Sequence, residues 1–346
     1  MKMEHKYIGD VPYITQTTRK GKRELLMDFA LPDSKVWPGP WPVILISHGG
    51  TWAGWRLQED IPWNYVDEHG FALARFDYRT AYDAPFPAQV ADCRSAVRFV
   101  RQHAAEYNID PCRIGVRGNS AGGHLAAMLG VGDGAEGIDN PTDDLSVSVA
   151  VQAVVDNYGP TNILQLWRLL DKVYRCIGSF GAERERLMKS LLEDPDTERH
   201  YIRSLMNGPL KWLSAVPGTQ YLIYIRSPNN LIGIARYLAD GGALSSSILK
   251  DEEMLRMVSP IEYVVGVHRK DGRKVPPFRI LHGEEDSFVP FAQSKVFVEA
   301  LRKIGADVTF DTDCGGGGHF PSWDHWRNVI APKEVEFFKR TIGKRK

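Results

Sequence analysis

No run of residues in this sequence is long and apolar enough to span a bilayer. The longest near-apolar stretches, residues 147–155 and 42–46, fall far short of the ~20 residues a membrane helix needs. The opening Met1-Lys-Met-Glu-His-Lys6 lacks the apolar core of an export signal, which points to a cytoplasmic protein. Charge of one sign is lacking too. Lys and Arg number 43 and so do Asp and Glu, so no large positive field is available to grip nucleic acid or anionic lipid. The basic end, 339–346, is short and reads as a solvated helix tail. Cysteine is scarce: Cys93, Cys112, Cys176 and Cys314 lie far apart with no C-x-x-C pair. A disulfide scaffold and a structural zinc site are thereby disfavoured against free thiols. The acidic stretch from Asp133 to Asp144 lacks the spacing of a calcium loop. Internal repeats and low-complexity linkers are also missing. What remains is 346 residues that are 43% hydrophobic and 25% charged. That composition carries enough apolar surface to offset the entropy of ordering a large globular fold.

Strand-like and helix-like segments alternate through the first half. Residues 23–31 (RELLMDFAL), 42–47 (PVILIS), 71–76 (FALARF) and 113–117 (RIGVR) read as strands, and 148–157 (SVAVQAVVDN) as a further one rich in valine. Between 86 and 107, Val90, Cys93, Val97, Val100 and Ala104 recur every three or four positions. That is the period of an amphipathic helix, which ends at Asn108 before Asp110-Pro111. A second helix starts at Ser120. The rhythm returns with a strand at 277–282, a helix at 291–304, a strand at 307–311 and a closing helix at 323–341. Short continuous apolar runs joined by helices predict a mostly parallel, doubly wound α/β sheet covered on both faces. Residues 161–260 break this rhythm, mixing helix-compatible, aromatic-rich pieces with turns such as Asn207-Gly-Pro and Gly241-Gly. They predict an inserted, largely helical cap between core segments 1–160 and 261–346.

The strongest local signal is Gly118-Asn119-Ser120-Ala121-Gly122-Gly123, a G-x-S-x-G between a strand and a helix. A sharp turn there holds serine in strained φ/ψ, and only small neighbours let the backbones approach. The turn lifts the hydroxyl above the sheet edge at a helix N-terminus, where negative charge is favoured. The second signal is His48-Gly49-Gly50-Thr51-Trp52, also after a strand. Glycines there can aim the N–H groups of Gly49 and Gly50, with that of Ala121, at an oxyanion. His48 itself reads as a loop-fixing residue. An acid and a base should follow the serine in the chain. Asp286 and His319 follow consecutive strands onto one sheet edge, with Glu284, Glu285 and Asp156 as rival acids and His325 as rival base. Cys314 is a weak rival nucleophile, because cysteines of this kind are commonly buried and inert.

These motifs resemble the α/β-hydrolase superfamily of serine esterases, in particular the hormone-sensitive-lipase and bacterial feruloyl/acetyl esterase branch. The resemblance rests on His48-Gly-Gly, Asp77-Tyr-Arg79 with Ala84-Pro-Phe-Pro-Ala88, the run from Asn108 to His124, and the run from His282 to Pro290, with Gly318-His319 added. It implies the α/β-hydrolase fold, a triad of Ser120, Asp286 and His319, and an oxyanion hole from Gly49, Gly50 and Ala121. Two positions depart from the family pattern. Thr51 stands where a third glycine is usual, and Asn119 replaces the acidic or small residue often found before the serine.

The expected activity is hydrolysis of small esters, with short or aromatic acyl groups, through an acyl-enzyme. No cofactor or metal is required. The expected partner is a small-molecule ester, with no nucleic acid and no membrane, and homo-oligomer formation is left open. Trp52, Trp55, Trp167 and Trp212, with Tyr201 and Tyr224, are candidates to line the acyl pocket. Two rival functions are a serine peptidase of related fold, which usually carries an extra domain, and a non-catalytic hydrolase-fold binding protein, which would normally lose a triad member.

Overall fold

The computed structural model describes residues 5–166, 168, 252–270, 272, 274–286, 288–315, 318, 319 and 321–343. Most of the predicted cap at 161–260 therefore lies outside the described residues, as do Trp167, Tyr201, Trp212 and Tyr224. Within them, eight strands form one sheet: β1 (Lys6–Thr18), β2 (Gly21–Leu31), β3 (Trp41–Ser47), β4 (Ala72–Phe76), β5 (Ile109–Asn119), β6 (Ala153–Asn157), β7 (Phe278–Leu281) and β8 (Val308–Asp311). Their spatial order is β1-β2-β4-β3-β5-β6-β7-β8. From β4 to β8 every neighbouring pair runs parallel, while β1–β2 and β2–β4 are antiparallel.

The main helices are α1 (Trp63–Asp67), α2 (Ala88–Gln102), α3 (Ala121–Val131), α4 (Glu252–Met257), α5 (Ala292–Lys303) and α6 (Ala331–Thr341). Strands β3, β4 and β6 are buried along their whole length, as strands covered on both faces must be. Alternation divides their side chains between two layers. Val43, Leu45, Val116 and Val154 face one layer with α2, α3 and α5. Ile44, Ile46 and Val155 face the other, with Tyr65 and Val66 of α1 and Val335 and Phe338 of α6. The doubly wound, mostly parallel sheet is as expected.

Three differences from the sequence reading have physical causes. Strand β1 is an edge strand, interrupted by Gly9, Asp10 and Pro12 and irregular in register at Ile8/Val11 and Pro12/Ile14, so its alternation is broken. The predicted strand 148–157 shortens to Ala153–Asn157. Gln152 interrupts its start, its Oε1 accepting the Ile114 N–H at 2.9 Å while its own N–H donates to the Ile114 carbonyl at 2.7 Å. The closing helix is broken by a wide turn at Trp326–Ile330 before α6 resumes. Among the described residues no helix is long and apolar enough to cross a membrane.

Candidate active site

Parallel strands deliver their C-terminal ends to one edge of the sheet, where ligands of open α/β folds bind. Ser120 follows β5, Asp286 follows β7, His319 follows β8, and the His48–Gly50 loop follows β3. The turn that carries Ser120 is as tight as its glycines imply. A Cβ on Gly118 would meet the Gly122 carbonyl oxygen at 2.2 Å, and one on Gly122 would meet the Ser47 carbonyl oxygen at 2.1 Å. Ser120 sits at φ +56°, ψ −120°, a strained conformation for a side-chain-bearing residue. Its carbonyl accepts the His124 N–H at 3.0 Å and its N–H donates to Asn157, so the strain is held from both sides.

The structure brings Ser120, His319 and Asp286 into one hydrogen-bonded chain. His319 Nε2 lies 2.8 Å from Ser120 Oγ, and His319 Nδ1 lies 2.7 Å from Asp286 Oδ2. A carboxylate only accepts, so Nδ1 carries the proton and Nε2 is left with a lone pair toward the hydroxyl. Asp286 Oδ1 accepts the N–H groups of Phe288 and Val289 at 2.8 and 2.9 Å. Burial alone would push this carboxyl up. Electrostatic attraction to His319 and the bonds from His282 and His319 outweigh it and hold Asp286 well below the usual carboxylate range.

His282 escaped the sequence reading as a site residue. Its Nε2 lies 3.2 Å from Asp286 Oδ2 and 3.0 Å from the Val289 carbonyl, while Nδ1 meets Ser294 Oγ at 2.6 Å. A carbonyl cannot donate, so Nε2 bears the proton and the ring braces Asp286. The spacing His282–Asp286 was the available signal. Tyr158 and Phe288 were missed as well. Their rings flank the His319 imidazole with centroids 4.7 and 5.1 Å away.

The rivals lie elsewhere. Glu284 and Glu285 are exposed, and His325 pairs with Asp313 at 3.1 Å. Cys314 is buried, and burial, with Asp286, Asp311 and Asp313 nearby, pushes its thiol up to about 12. Asp156 is fully buried; Oδ1 accepts the Gly159 N–H at 2.9 Å and Oδ2 has no partner among the described residues. Burial raises its carboxyl to about 6, the Gly159 bond and the His282 charge pulling only partly the other way. A carboxyl raised on folding favours the native state at low pH and loses that contribution as pH rises through the folded value. Asp156→Asn removes the titration. Its stability relative to wild type therefore improves between pH 4 and pH 8, by about 2 kcal/mol, which denaturant melts at the two pH values measure. A pH-independent difference would contradict this placement.

The loop after β3 differs in detail from expectation. His48 is buried and stacked on Tyr78, whose hydroxyl donates to the His48 carbonyl at 3.0 Å. Burial lowers its imidazole to about 4, so it is neutral and structural, in keeping with a loop-fixing role. Gly50, Thr51 and Trp52 follow with φ of +87°, +53° and +59°, a left-handed run that favours glycine at its start. The Gly49 N–H, one of the three expected oxyanion donors, donates to Glu59 Oε1 at 3.2 Å.

Trp52 is a correction. It is 3% exposed, packs edge-on against Phe86 and donates from Nε1 to His124 Nδ1 at 3.1 Å. His124 Nε2 in turn donates to the Val258 carbonyl at 2.7 Å. Trp52 thus belongs to the interior because its indole N–H finds a buried acceptor. Trp55 is exposed. Beside the elbow opens a cleft of about 270 Å³ lined by Glu59, Asn119, Tyr158, Pro321, Trp323 and Trp326, among others. The sequence pattern places Trp323 and Trp326 only in the closing helix.

Sheet order, elbow and edge together define an α/β-hydrolase. The chain belongs to the BD-FAE family, whose model matches residues 27–207 and 230–301. It is similar to Esterase LipQ of Mycobacterium tuberculosis, 27% identical over 302 residues, which cover 86% of this chain and 53% of that protein. It is also similar to the probable isoprenylcysteine alpha-carbonyl methylesterase ICMEL1 of Arabidopsis thaliana, 25% identical over 297 residues, or 85% of this chain and 48% of that one. The chain thus spans about half the length of these curated relatives. Among solved structures, a truncated carbohydrate esterase from gut microbiota superposes with a TM-score of 0.64 at 22% identity, over 98% of this chain and 97% of that one.

Proposed function

We propose that the protein is a carboxylesterase-type serine hydrolase acting on small carboxylic esters. The observation that carries this reading is the His319 imidazole, held between Ser120 Oγ at 2.8 Å and Asp286 Oδ2 at 2.7 Å. Membership of the BD-FAE family and the esterase names of the relatives support it. His319 takes the Ser120 proton as the hydroxyl oxygen attacks the ester carbonyl. The oxyanion is received by the N–H groups of Gly50 and Ala121, the latter in the first turn of α3 where amides lack intrahelical acceptors. The protonated imidazole returns its proton to the leaving alcohol, and water repeats the sequence to release the acid. The alcohol side of the substrate faces the cleft of Tyr158, Trp323 and Trp326 with Asp60. Aromatic faces beside a carboxylate suit a hydroxylated ring such as a sugar.

The test is chemical. Wild type labels at Ser120 with a fluorophosphonate probe and turns over p-nitrophenyl acetate, and Ser120→Ala does neither. Labelling without ester turnover would move the reading to a peptidase, and no labelling at all would move it to a binding protein.

A further inference from the structure

Glu59 does not belong to the hydrogen-bonded chain of Ser120, His319 and Asp286, yet its carboxylate touches both arms that build the oxyanion site. Oε1 accepts the N–H of Gly49, in the loop after β3, at 3.2 Å. Oε2 accepts from Nδ2 of Asn119, the residue before Ser120, at 2.8 Å. The two arms approach closely enough that a Cβ on Gly49 would meet the Asn119 carbonyl oxygen at 2.8 Å. Both ends of the bridge are anchored. The Glu59 carbonyl accepts from Arg75 Nη1 at 2.7 Å, and Arg75 is itself paired with Asp28 at 2.8 Å. On the far side, Asn119 Oδ1 accepts from Asn157 Nδ2 at 3.1 Å and Arg117 Nη2 at 3.5 Å. Asn157 and Arg117 both reach Glu334 on α6, at 2.8 and 3.0 Å. A rigid path thus runs from the edge of β4, through Glu59 and the elbow, to the helix behind the sheet.

A carboxylate beside a site where an oxyanion forms raises the energy of that charge. Its placement there calls for a compensating role, and its contacts are mechanical ones. We propose that Glu59 is a positioning residue whose carboxylate clamps the oxyanion loop to the nucleophile elbow, setting the Gly50 N–H against that of Ala121. The inference rests on the esterase reading above. Oxyanion donors act through fixed geometry, so an arm that drifts by an ångström costs about 100-fold in rate.

The donor–acceptor polarity of the clamp supplies its test. Glu59 faces two donors, and a carboxylate satisfies both. Glu59→Gln satisfies only one and turns its amide against the other; Asn119→Asp sets two carboxylates face to face. The double variant E59Q/N119D restores the match. The side-chain carbonyl now at position 59 accepts from the Gly49 N–H, and its NH2 donates to the new carboxylate at position 119. The negative charge stays beside Arg117.

The measurement is p-nitrophenyl acetate kinetics and fluorophosphonate labelling rate on wild type, E59A, E59Q, N119D and E59Q/N119D, with thermal melts alongside. Expected are falls of about 10- to 100-fold in kcat for the single variants with KM nearly unchanged, and recovery of kcat in the double variant to within about threefold of wild type. If a single variant fails to fold, the double variant must still recover both melt and rate. Wild-type turnover with E59A and E59Q equally active overturns the clamp alone. So does a folded double variant no faster than its singles. A wild type that neither labels at Ser120 nor hydrolyses the ester overturns the esterase reading and the clamp with it.

Discussion

His319→Ala is expected to lower kcat for p-nitrophenyl acetate by about 10⁵- to 10⁶-fold and to abolish fluorophosphonate labelling of Ser120. The size follows from what the imidazole does. At neutral pH a serine hydroxyl is a poor nucleophile, and the lone pair on Nε2, 2.8 Å from Oγ, is the group placed to take its proton. About 7–8 kcal/mol of barrier corresponds to that factor. The fold has little reason to suffer, since His319 lies on a loop and its ring fills a gap between Tyr158 and Phe288 rather than a strand interface. The same gap makes a second readout available. Added imidazole can enter it and restore part of the rate to the alanine variant. Residues acting as one unit are also non-additive, so Ser120→Ala/His319→Ala is no slower than either single change. Independent, multiplying losses would mean that the two side chains do not act together.

The parts of this molecule legible in its sequence are those whose physics is local. Small residues at 118 and 122 are required by backbone contacts within the elbow and with β3, and their spacing is visible along the chain. The apolar runs of β3, β4 and β6 announce burial on both faces because each run carries that burial by itself. Asp286 and His319 could be nominated because each follows a strand, and parallel strands end on one edge. What could not be read are contacts between distant segments. Nothing in Arg56-Leu-Gln-Glu59 shows that its carboxylate reaches Gly49 and Asn119. Trp52 looked like a pocket aromatic because it follows the oxyanion loop. The left-handed turn at residues 50–52 instead sends it inward, to a histidine acceptor 72 residues away in the chain. Strand β1 was hidden for a related reason: an exposed edge tolerates the Gly, Asp and Pro that blur a strand pattern.

Asp286→Asn is expected to lower kcat by about 10⁴-fold while Asp156→Asn retains most of its rate, and the contrast follows from hydrogen-bond polarity rather than from charge alone. Two backbone donors, the N–H groups of Phe288 and Val289, converge on Oδ1 of residue 286. In the asparagine variant they hold the amide carbonyl at that position, because an NH2 group there would face two N–H groups. The NH2 is then forced to the place of Oδ2, against His319 Nδ1 and His282 Nε2. Toward His319 it can only donate, so the imidazole must carry its proton on Nε2, where it faces Ser120 as a donor and cannot accept the hydroxyl proton. Toward His282 it opposes a second N–H, which destabilises the loop by about 1–3 kcal/mol. Loss of rate should therefore come with a modest loss of stability and little change in KM. Asp156 has no such coupling: its carboxyl meets the Gly159 N–H, which an asparagine carbonyl accepts equally well. Near-wild-type turnover by Asp286→Asn, or a collapse of turnover confined to Asp156→Asn, would transfer the acid's role from the loop after β7 to the end of β6.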